Sequence, residues 1–353
     1  MRSRVLGTAL FGLGVLAIVF AAGLAFVVAP RAAQLPYDME PTQSVAEAQN
    51  ATFLQVTSGA AKINTGNLRS TVTVQPDAKE TASLEGDLDG SALVWLAGQD
   101  VVNTSLNSER VSAYSTRLAV DRETGAAVPW DGAWLDTGNQ EKIEYTGHMY
   151  KFPFGTEQKA YPIYDRDVRA ASPAEFVKTE EIGGLETYQF TQKIVDGRQQ
   201  LDPTQLTLLV DQLLDDTATT ADVVYNNTRT VWVEPVTGQF IRVSEEQNKV
   251  LVGNNGQQVT LLDADFTYTD DTVDRSIKAA EDNRQKLNLV GLWGPLGLGL
   301  LGLILAVAGV LVALRGGRGA SAAGVPAQGG GGHDDLDDGD GKPATAGSHR
   351  AES

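Results

Sequence analysis

The sequence predicts an α+β, mainly β architecture: an antiparallel, β-rich ectodomain with a few helices, flanked by N- and C-terminal transmembrane helices. Three observations carry that prediction. Residues 5–29 and 289–314 are apolar runs without a single Asp, Glu, Lys or Arg. Most of the stretch between them alternates polar and apolar residues with period two, the pattern of half-buried strands. Helical periodicity there is confined to two segments.

Taken in order, the first run exceeds the roughly 20 residues that cross a hydrocarbon core of about 30 Å. Arg2 and Arg4 before it, and Val27-Val28-Ala29 at its end, also fit a cleaved signal peptide. Against cleavage, the run is far longer than a signal-peptide core of roughly 7 to 15 residues, and Pro30 would follow the broken bond. Residues 5–29 therefore read as an uncleaved anchor. The second run, 289–314, is equally long. Arg2 and Arg4 at one end of the pair, with Arg315 and Arg318 at the other, place both termini in the cytoplasm of a plasma membrane by the positive-inside rule. Arg275, Lys278, Arg284 and Lys286 oppose that orientation, but the first helix usually dominates. The expected division is a cytoplasmic N-terminus (1–4), a span (5–29), an extracytoplasmic β-rich domain (30–288), a second span (289–314) and a disordered Gly/Asp-rich cytoplasmic tail (315–353).

The chain is acidic, with 45 Asp plus Glu against 28 Lys plus Arg, a net charge of −17. The basic surface of a nucleic-acid binder is missing, and the acid excess suits a soluble surface outside a cell. With no cysteine there is no disulfide framework, thiolate metal site or lipid-modified N-terminal Cys. The tail's acidic run, Asp334-Asp335-Leu336-Asp337-Asp338, lacks the spacing and closing Glu of a calcium loop.

Strands are predicted around Ser70–Val74, Thr187–Thr191 and Asp265–Thr269, where β-branched and aromatic residues alternate with polar ones. Two segments share the pattern V-acid-x-x-T-G, at Val120–Gly125 and Val233–Gly238. Each reads as a hairpin turn in which the acid accepts backbone N–H groups and the glycine takes a positive φ. Asp202-Pro203 is a cap followed by proline at the first helical position. Leu206, Leu209, Val210, Leu213 and Leu214 then predict an amphipathic helix to about Asp216 whose apolar face packs into the core. A second helix is expected over 272–288, capped by Asp271 or Thr272 and running into the second span. Ala17, Ala21 and Ala25 in the first span, and Gly302 and Ala306 in the second, form small-residue faces for pairing with each other or with another copy.

No motif for nucleophilic, phosphate-binding or metal chemistry occurs between the spans, and His148 is the single histidine there. The expectation is a non-enzyme with no catalytic residues, no cofactor and no metal. The first place to look for a ligand site is Phe154, Gly155, Thr156 and Glu157 with Tyr161, Tyr164 and Asp165, which gathers aromatics, carboxylates and two prolines. A rigid loop fixed by Pro153 and Pro162 explains the same segment.

Several segments together resemble an actinobacterial envelope family known as PorA-type porins. They are Asp121-Arg122-Glu123-Thr124-Gly125, Phe152-Pro153-Phe154-Gly155-Thr156-Glu157 with Tyr161-Pro162-Ile163-Tyr164-Asp165, Gly184-Leu185-Glu186-Thr187-Tyr188-Gln189-Phe190, and Trp232-Val233-Glu234-Pro235-Val236-Thr237-Gly238. The resemblance covers both anchors and the region between, and implies a cell-envelope protein of a mycolate-type or related actinobacterium. A porin barrel needs a lipid-facing apolar band and aromatic girdles, which the acidic middle lacks, and the spans carry no polar stripe. The two-anchor plan is also similar to scavenger receptors of the CD36 type, an architectural analogy only. The expected function is thus an envelope membrane protein whose ectodomain binds or passes an apolar or cell-wall ligand; the alternative is a pore-forming, porin-like oligomer. The partners expected are the membrane, a lipid or cell-wall ligand and a second copy, with no nucleic acid. The sequence leaves open whether the ectodomain is a closed barrel or an open sheet.

Overall fold

The structure, a computed structural model, describes residues 2–105 and 107–315. The tail expected over 315–353 lies, apart from Arg315, outside the described residues. The chain starts with α1 (Arg2–Gly23), which widens into a π turn at Leu24–Val28 and ends in the short α2 (Ala29–Ala32). The π turn has a local cause. Pro30 has no N–H and its ring crowds the carbonyl one turn back, and a wider turn relieves that conflict without breaking the helix.

Twelve strands follow in one antiparallel sheet. A tight hairpin joins β1 (Thr42–Thr57) to β2 (Ala60–Pro76), with Ser58 and Gly59 both at positive φ. The short α3 (Ala78–Thr81), capped by the Asp77 side chain, leads to β3 (Ala92–Asn103) and β4 (Glu109–Asp121). Of two three-residue strands, β5 (Trp134–Asp136) pairs with β4, and β6 (Gln140–Lys142) with β5. The second half runs through β7 (Tyr161–Asp165), β8 (Ala170–Ile182) and β9 (Leu185–Gln199). After β9 comes α4 (Pro203–Leu213), and then β10 (Ala221–Val233), β11 (Phe240–Gly253) and β12 (Gln258–Tyr268). The spatial order β6-β5-β4-β3-β2-β1-β12-β11-β10-β9-β8-β7 is a meander in each half, joined where β1 pairs with β12.

Isolated bridges close the remaining gap. Val120 of β4 bridges Ala127, Ala126 bridges His148, and His148 bridges Ile163 of β7. The His148 N–H donates to Pro162 O at 2.8 Å, and the Tyr164 N–H donates to His148 O at 2.8 Å. The sheet is therefore a closed barrel, stitched along one seam by single residues. The His148 ring is buried against Phe152 and Tyr161 at that seam, and burial lowers its pKa.

Both V-acid-x-x-T-G turns form as expected. Asp121 Oδ1 accepts the N–H groups of Glu123 and Thr124, and the Glu234 carboxylate accepts those of Val236 and Thr237. Gly125 and Gly238 adopt φ of +70° and +71°. Helix α4 begins at Pro203 under an Asp202 cap and buries Leu209 and Val210, but it stops at Leu213, three residues short of the expected end. Asp215 ends it by turning its carboxylate onto the Thr217 N–H and hydroxyl.

The last strand passes into α5 (Asp270–Asn288). Its cap is Thr269, which accepts the Thr272 N–H, so neither Asp271 nor Thr272 caps it and it starts two residues earlier than expected. Thr272 is buried instead and accepts the Val45 N–H. A second π turn, Leu289–Trp293, precedes α6 (Gly294–Arg315), with Pro295 just beyond it as Pro30 is beyond the first. The runs Arg4–Ala32 and Asp270–Arg315 each contain a helix long and apolar enough to cross a membrane. Large apolar side chains such as Phe20, Phe26, Leu300 and Leu314 are exposed along them, as lipid contact requires.

These two helices pack on each other, antiparallel. A Cβ on Gly14 would sit 2.5 Å from Gly302 O and Ala306 N, and one on Gly7 would sit 2.7 Å from Gly309 O. The close face is thus Gly7, Gly14 and Ala21 against Gly302, Ala306 and Gly309. Of the expected Ala17/Ala21/Ala25 stripe only Ala21 is fully buried. Repeats of seven keep a packed seam in register along two wrapped helices, where a repeat of four drifts off it.

Candidate functional site: the barrel lumen

Strand alternation sends half of each strand's side chains into the barrel. There they enclose a cavity of about 1150 Å³. Its lining runs from one end of the barrel to the other. At the end nearest the spans lie Arg31, Ala32 and Leu35, with Ser276, Ala279, Asn283, Lys286 and Leu287 of α5. Those α5 positions share one helical stripe, whose last residues directly precede the second span. At the far end, Gln205, Leu208 and Leu209 of α4 cover the lumen. Helix α4 is held there by Gln212, which accepts the Ala61 N–H and donates to Gly59 O at the β1–β2 turn.

Most of the wall is apolar: Val72, Val74, Trp95, Phe154, Phe240 and Val243 toward the spans, and Leu54, Leu261 and Leu262 toward α4. Between these regions lies a belt of ionised side chains. Arg229 of β10 is 3.2 Å from Asp165 and 2.6 Å from Glu245 of β11. Lys249 is 2.8 Å from Asp167, which also accepts Gln199 Nε2 at 2.7 Å. Burial alone would raise the Asp167 carboxyl, but Lys249 and Arg166 outweigh it and hold it at about 2. Burial acts likewise on Glu245, and Arg229 brings it below the usual carboxylate range. Three cations meet three carboxylates, so the belt is neutral as a whole and each charge has a partner that offsets its desolvation.

The seven residues singled out in the sequence divide between two roles. Phe154, Tyr164 and Asp165 line the cavity. Gly155 and Thr156 do not: their N–H groups donate to Val236 O and Pro235 O, docking the 151–156 segment on the second acid turn. The Phe152 N–H donates to Gly238 O, and the Phe154 N–H to Glu123 O, so the segment clamps both acid turns. Tyr161 is buried in an aromatic cluster with Phe152 and Phe190, and its hydroxyl accepts the Glu157 N–H; the Glu157 carboxylate is exposed and paired with Lys159. Lys151, next to this clamp, donates to Phe152 O at 2.7 Å and lies 3.9 Å from the Phe154 ring centroid. Burial pushes its ammonium down to about 7. Sequence reasoning missed Arg229, Glu245 and Lys249. Their one signal was three charges at inward positions of two neighbouring strands, which is visible only once strand register is known.

Among the described residues no group of His, Asp and Glu is arranged to hold a metal ion. The arrangement suits containment of an elongated, mostly apolar molecule with a polar portion at the belt. Fold and lumen together define a membrane protein of one class, a closed antiparallel barrel standing on a pair of antiparallel apolar helices. The chain belongs to the porin PorA family, whose model, described as "Porin PorA", matches residues 6–311. A Porin PorA of Corynebacterium amycolatum is 23% identical over 377 aligned residues, covering 87% of this chain and 97% of that protein. A Porin PorA of Corynebacterium resistens is 22% identical over 302 aligned residues, covering 64% of this chain and 73% of that protein.

Proposed function

We propose that this is a non-enzymatic envelope protein whose barrel, outside the cytoplasmic membrane, takes an apolar or amphiphilic envelope molecule into its lumen from the membrane side. The observation that carries the reading is the position of the cavity: its lining continues along α5 to Leu287, at the point where the chain enters the second span. A lipid leaving the bilayer would keep apolar contact along that stripe, so its chains would not cross open water. Arg31 and Lys286 at the same end supply positive charge beside the membrane surface, with Glu40 nearby. Both termini lie in the cytoplasm on this reading. The test is organic extraction of the full-length protein after purification in a non-lipid detergent, followed by mass spectrometry. A chain-bearing amphiphile near one per protein, lost when Val72 and Val243 are both replaced by Trp, is the expected result. Protein that is folded yet free of any such molecule, before and after incubation with envelope lipid, overturns the reading.

The names of the relatives favour a second reading, a pore-forming oligomer. Its conducting path would need several copies, because the small-residue faces of these spans are occupied by each other and the rest of each span is apolar. Planar-bilayer recordings decide it: discrete conductance steps whose size changes on Arg229→Met would establish a luminal current path.

A further inference from the structure

The charged belt contains one cation whose donors are unused. Arg229 and Lys249 are consumed by Asp165, Glu245 and Asp167. The carboxylates are likewise filled: Asp165 Oδ1 accepts the Asp167 N–H, Asp167 Oδ1 accepts from Lys249 and Gln199, and Glu245 accepts from Arg229 and Gln247. Arg166 is different. It lines the cavity, lies flat on the Tyr114 ring with its guanidinium carbon 4.2 Å from the centroid, and comes no nearer to Asp167 than 3.5 Å. It makes no hydrogen bond among the described residues, although 28% of its side chain is accessible from the lumen.

Three further donors without a hydrogen-bond partner belong to residues that line the same cavity. The Tyr150 and Tyr164 hydroxyls and the Trp95 indole N–H are buried, the first with the Tyr114 phenol beside it, and the Trp95 and Tyr150 rings meet edge to face at 5.9 Å. A buried polar group left unsatisfied destabilises the fold. Three in the lining of one cavity, with a guanidinium whose N–H groups are free, are the mark of a place that something else completes. Every unfilled group here donates, or in the phenols can donate; the carboxylates nearby are already engaged. The missing partner is therefore an acceptor. The wall of the span-side half is mostly hydrocarbon, with Val72, Val74, Phe240 and Val243 in it, so the partner also carries a chain.

We propose that Arg166, with the Tyr114 and Tyr150 phenols and the Trp95 indole N–H, forms a headgroup subsite for a single oxyanion, carboxylate or phosphate, at the end of a long-chain amphiphile. The inference rests on the luminal-ligand reading above and adds which end of the ligand lies deepest. The chain extends back toward the spans, and the neutral Arg229–Lys249 belt stops the head from passing on toward α4. Specificity follows from the donor count: an uncharged alcohol of the same length satisfies one donor and leaves the guanidinium unfilled.

The test uses the full chain in nanodiscs of zwitterionic lipid, with isotope-labelled hexadecanoate, hexadecyl phosphate and hexadecanol as probes. The wild-type protein is expected to bind one or both anionic probes at least tenfold more tightly than hexadecanol, and whichever binds names the head. Tyr150→Phe removes a buried hydroxyl whose polar contact is the Tyr114 phenol, so it changes the melting temperature little while weakening the anionic probe about tenfold. Arg166→Gln is expected to abolish the preference for the anions while retaining hexadecanol binding. If all three probes bind alike, or if Tyr150→Phe binds the anion as the wild type does, the headgroup subsite is refuted and the luminal reading stands. If none of the three binds, both fail.

Discussion

Replacing Gly238 by alanine tests how the barrel is held shut, because the chain supplies its own control. Gly125 and Gly238 close the two V-acid-x-x-T-G turns at almost identical φ, +70° and +71°. An L residue in that conformation costs roughly 1–2 kcal/mol, and both substitutions incur it. What differs is the neighbour. A Cβ on Gly125 meets Lys151 Cγ at 2.7 Å, part of a flexible side chain, whereas a Cβ on Gly238 would lie 2.0 Å from Phe152 O and 2.4 Å from Pro153 O, both backbone. The clamp segment must then lift from the turn, giving up the bonds from the N–H groups of Phe152, Gly155 and Thr156. At about 0.5–1.5 kcal/mol each, these add roughly 2–4 kcal/mol to the backbone strain. Gly238→Ala should therefore cost about 3–6 kcal/mol in all, with Gly125→Ala nearer the strain alone. Chemical denaturation of both variants, reconstituted identically and followed by tryptophan fluorescence, measures the difference. Hydrogen exchange should also speed up over residues 151–156 in Gly238→Ala only. Equal destabilisation of the two, with the clamp amides still protected, would show that the segment does not hold the second turn and would refute the reasoning.

Three other outcomes follow from the same geometry. Arg229→Met leaves Asp165 and Glu245 buried without their main cation and should destabilise the protein by about 3–5 kcal/mol, read from denaturant midpoints; a loss below about 1 kcal/mol would mean that the belt is wet and weakly coupled. Lys151 has a folded pKa of about 7, below its unfolded value, so between roughly pH 7 and pH 10 the unfolded chain binds the extra proton and stability from this group rises with pH. Its desolvation penalty is present in full below pH 7, and Lys151→Met should raise the melting temperature at pH 6 more than at pH 9; the reverse order would contradict the assignment. Finally, a Cβ on Gly299 would lie 3.9 Å from that of Ala21, within disulfide range. In a chain with no other cysteine, Ala21→Cys with Gly299→Cys should cross-link on mild oxidation, and adding Gly14→Val should suppress it; unaltered cross-linking in the triple variant would refute the close seam.

How far the sequence could be read depends on the range of the forces involved. The two spans, α4 and the acid turns were legible because each rests on residues within one or two turns of chain: an uncharged run, Asp202-Pro203, Asp121 with Gly125, Glu234 with Gly238. The span seam was legible at Ala21, Gly302 and Ala306, whereas Ala17 and Ala25 lie off it and Gly7, Gly14 and Gly309 were missed, because on the first span the close contacts recur every seven residues. Barrel closure had no local signal. It rests on β1 meeting β12 and on His148 bridging Ala126 and Ile163, and neither pairing leaves a pattern near itself in sequence. The lumen was concealed for a further reason. Alternation identifies a strand but assumes that the polar face is the outer one, whereas in β10 and β11 the inward set includes Arg229, Glu245 and Lys249. Among 45 acids, Asp165 and Glu245 have no distinguishing neighbours until strand register places them beside Arg229. The candidate segment 154–165 was found for its aromatics and prolines; it proved to be mainly a clamp, with Phe154, Tyr164 and Asp165 at the lumen.

The central claim, that the lumen receives a chain from the membrane, is tested most directly by photo-cross-linking. The full-length protein is reconstituted with a trace of a long-chain probe carrying a diazirine midway along its chain, irradiated, digested and mapped by mass spectrometry. The account predicts adducts at inward positions of β2 and β11, such as Val72 and Val243, and on the Ser276–Leu287 stripe of α5, all suppressed by excess unlabelled probe. Adducts confined to the lipid-facing surfaces of α1 and α6, with none inside the barrel, would contradict it.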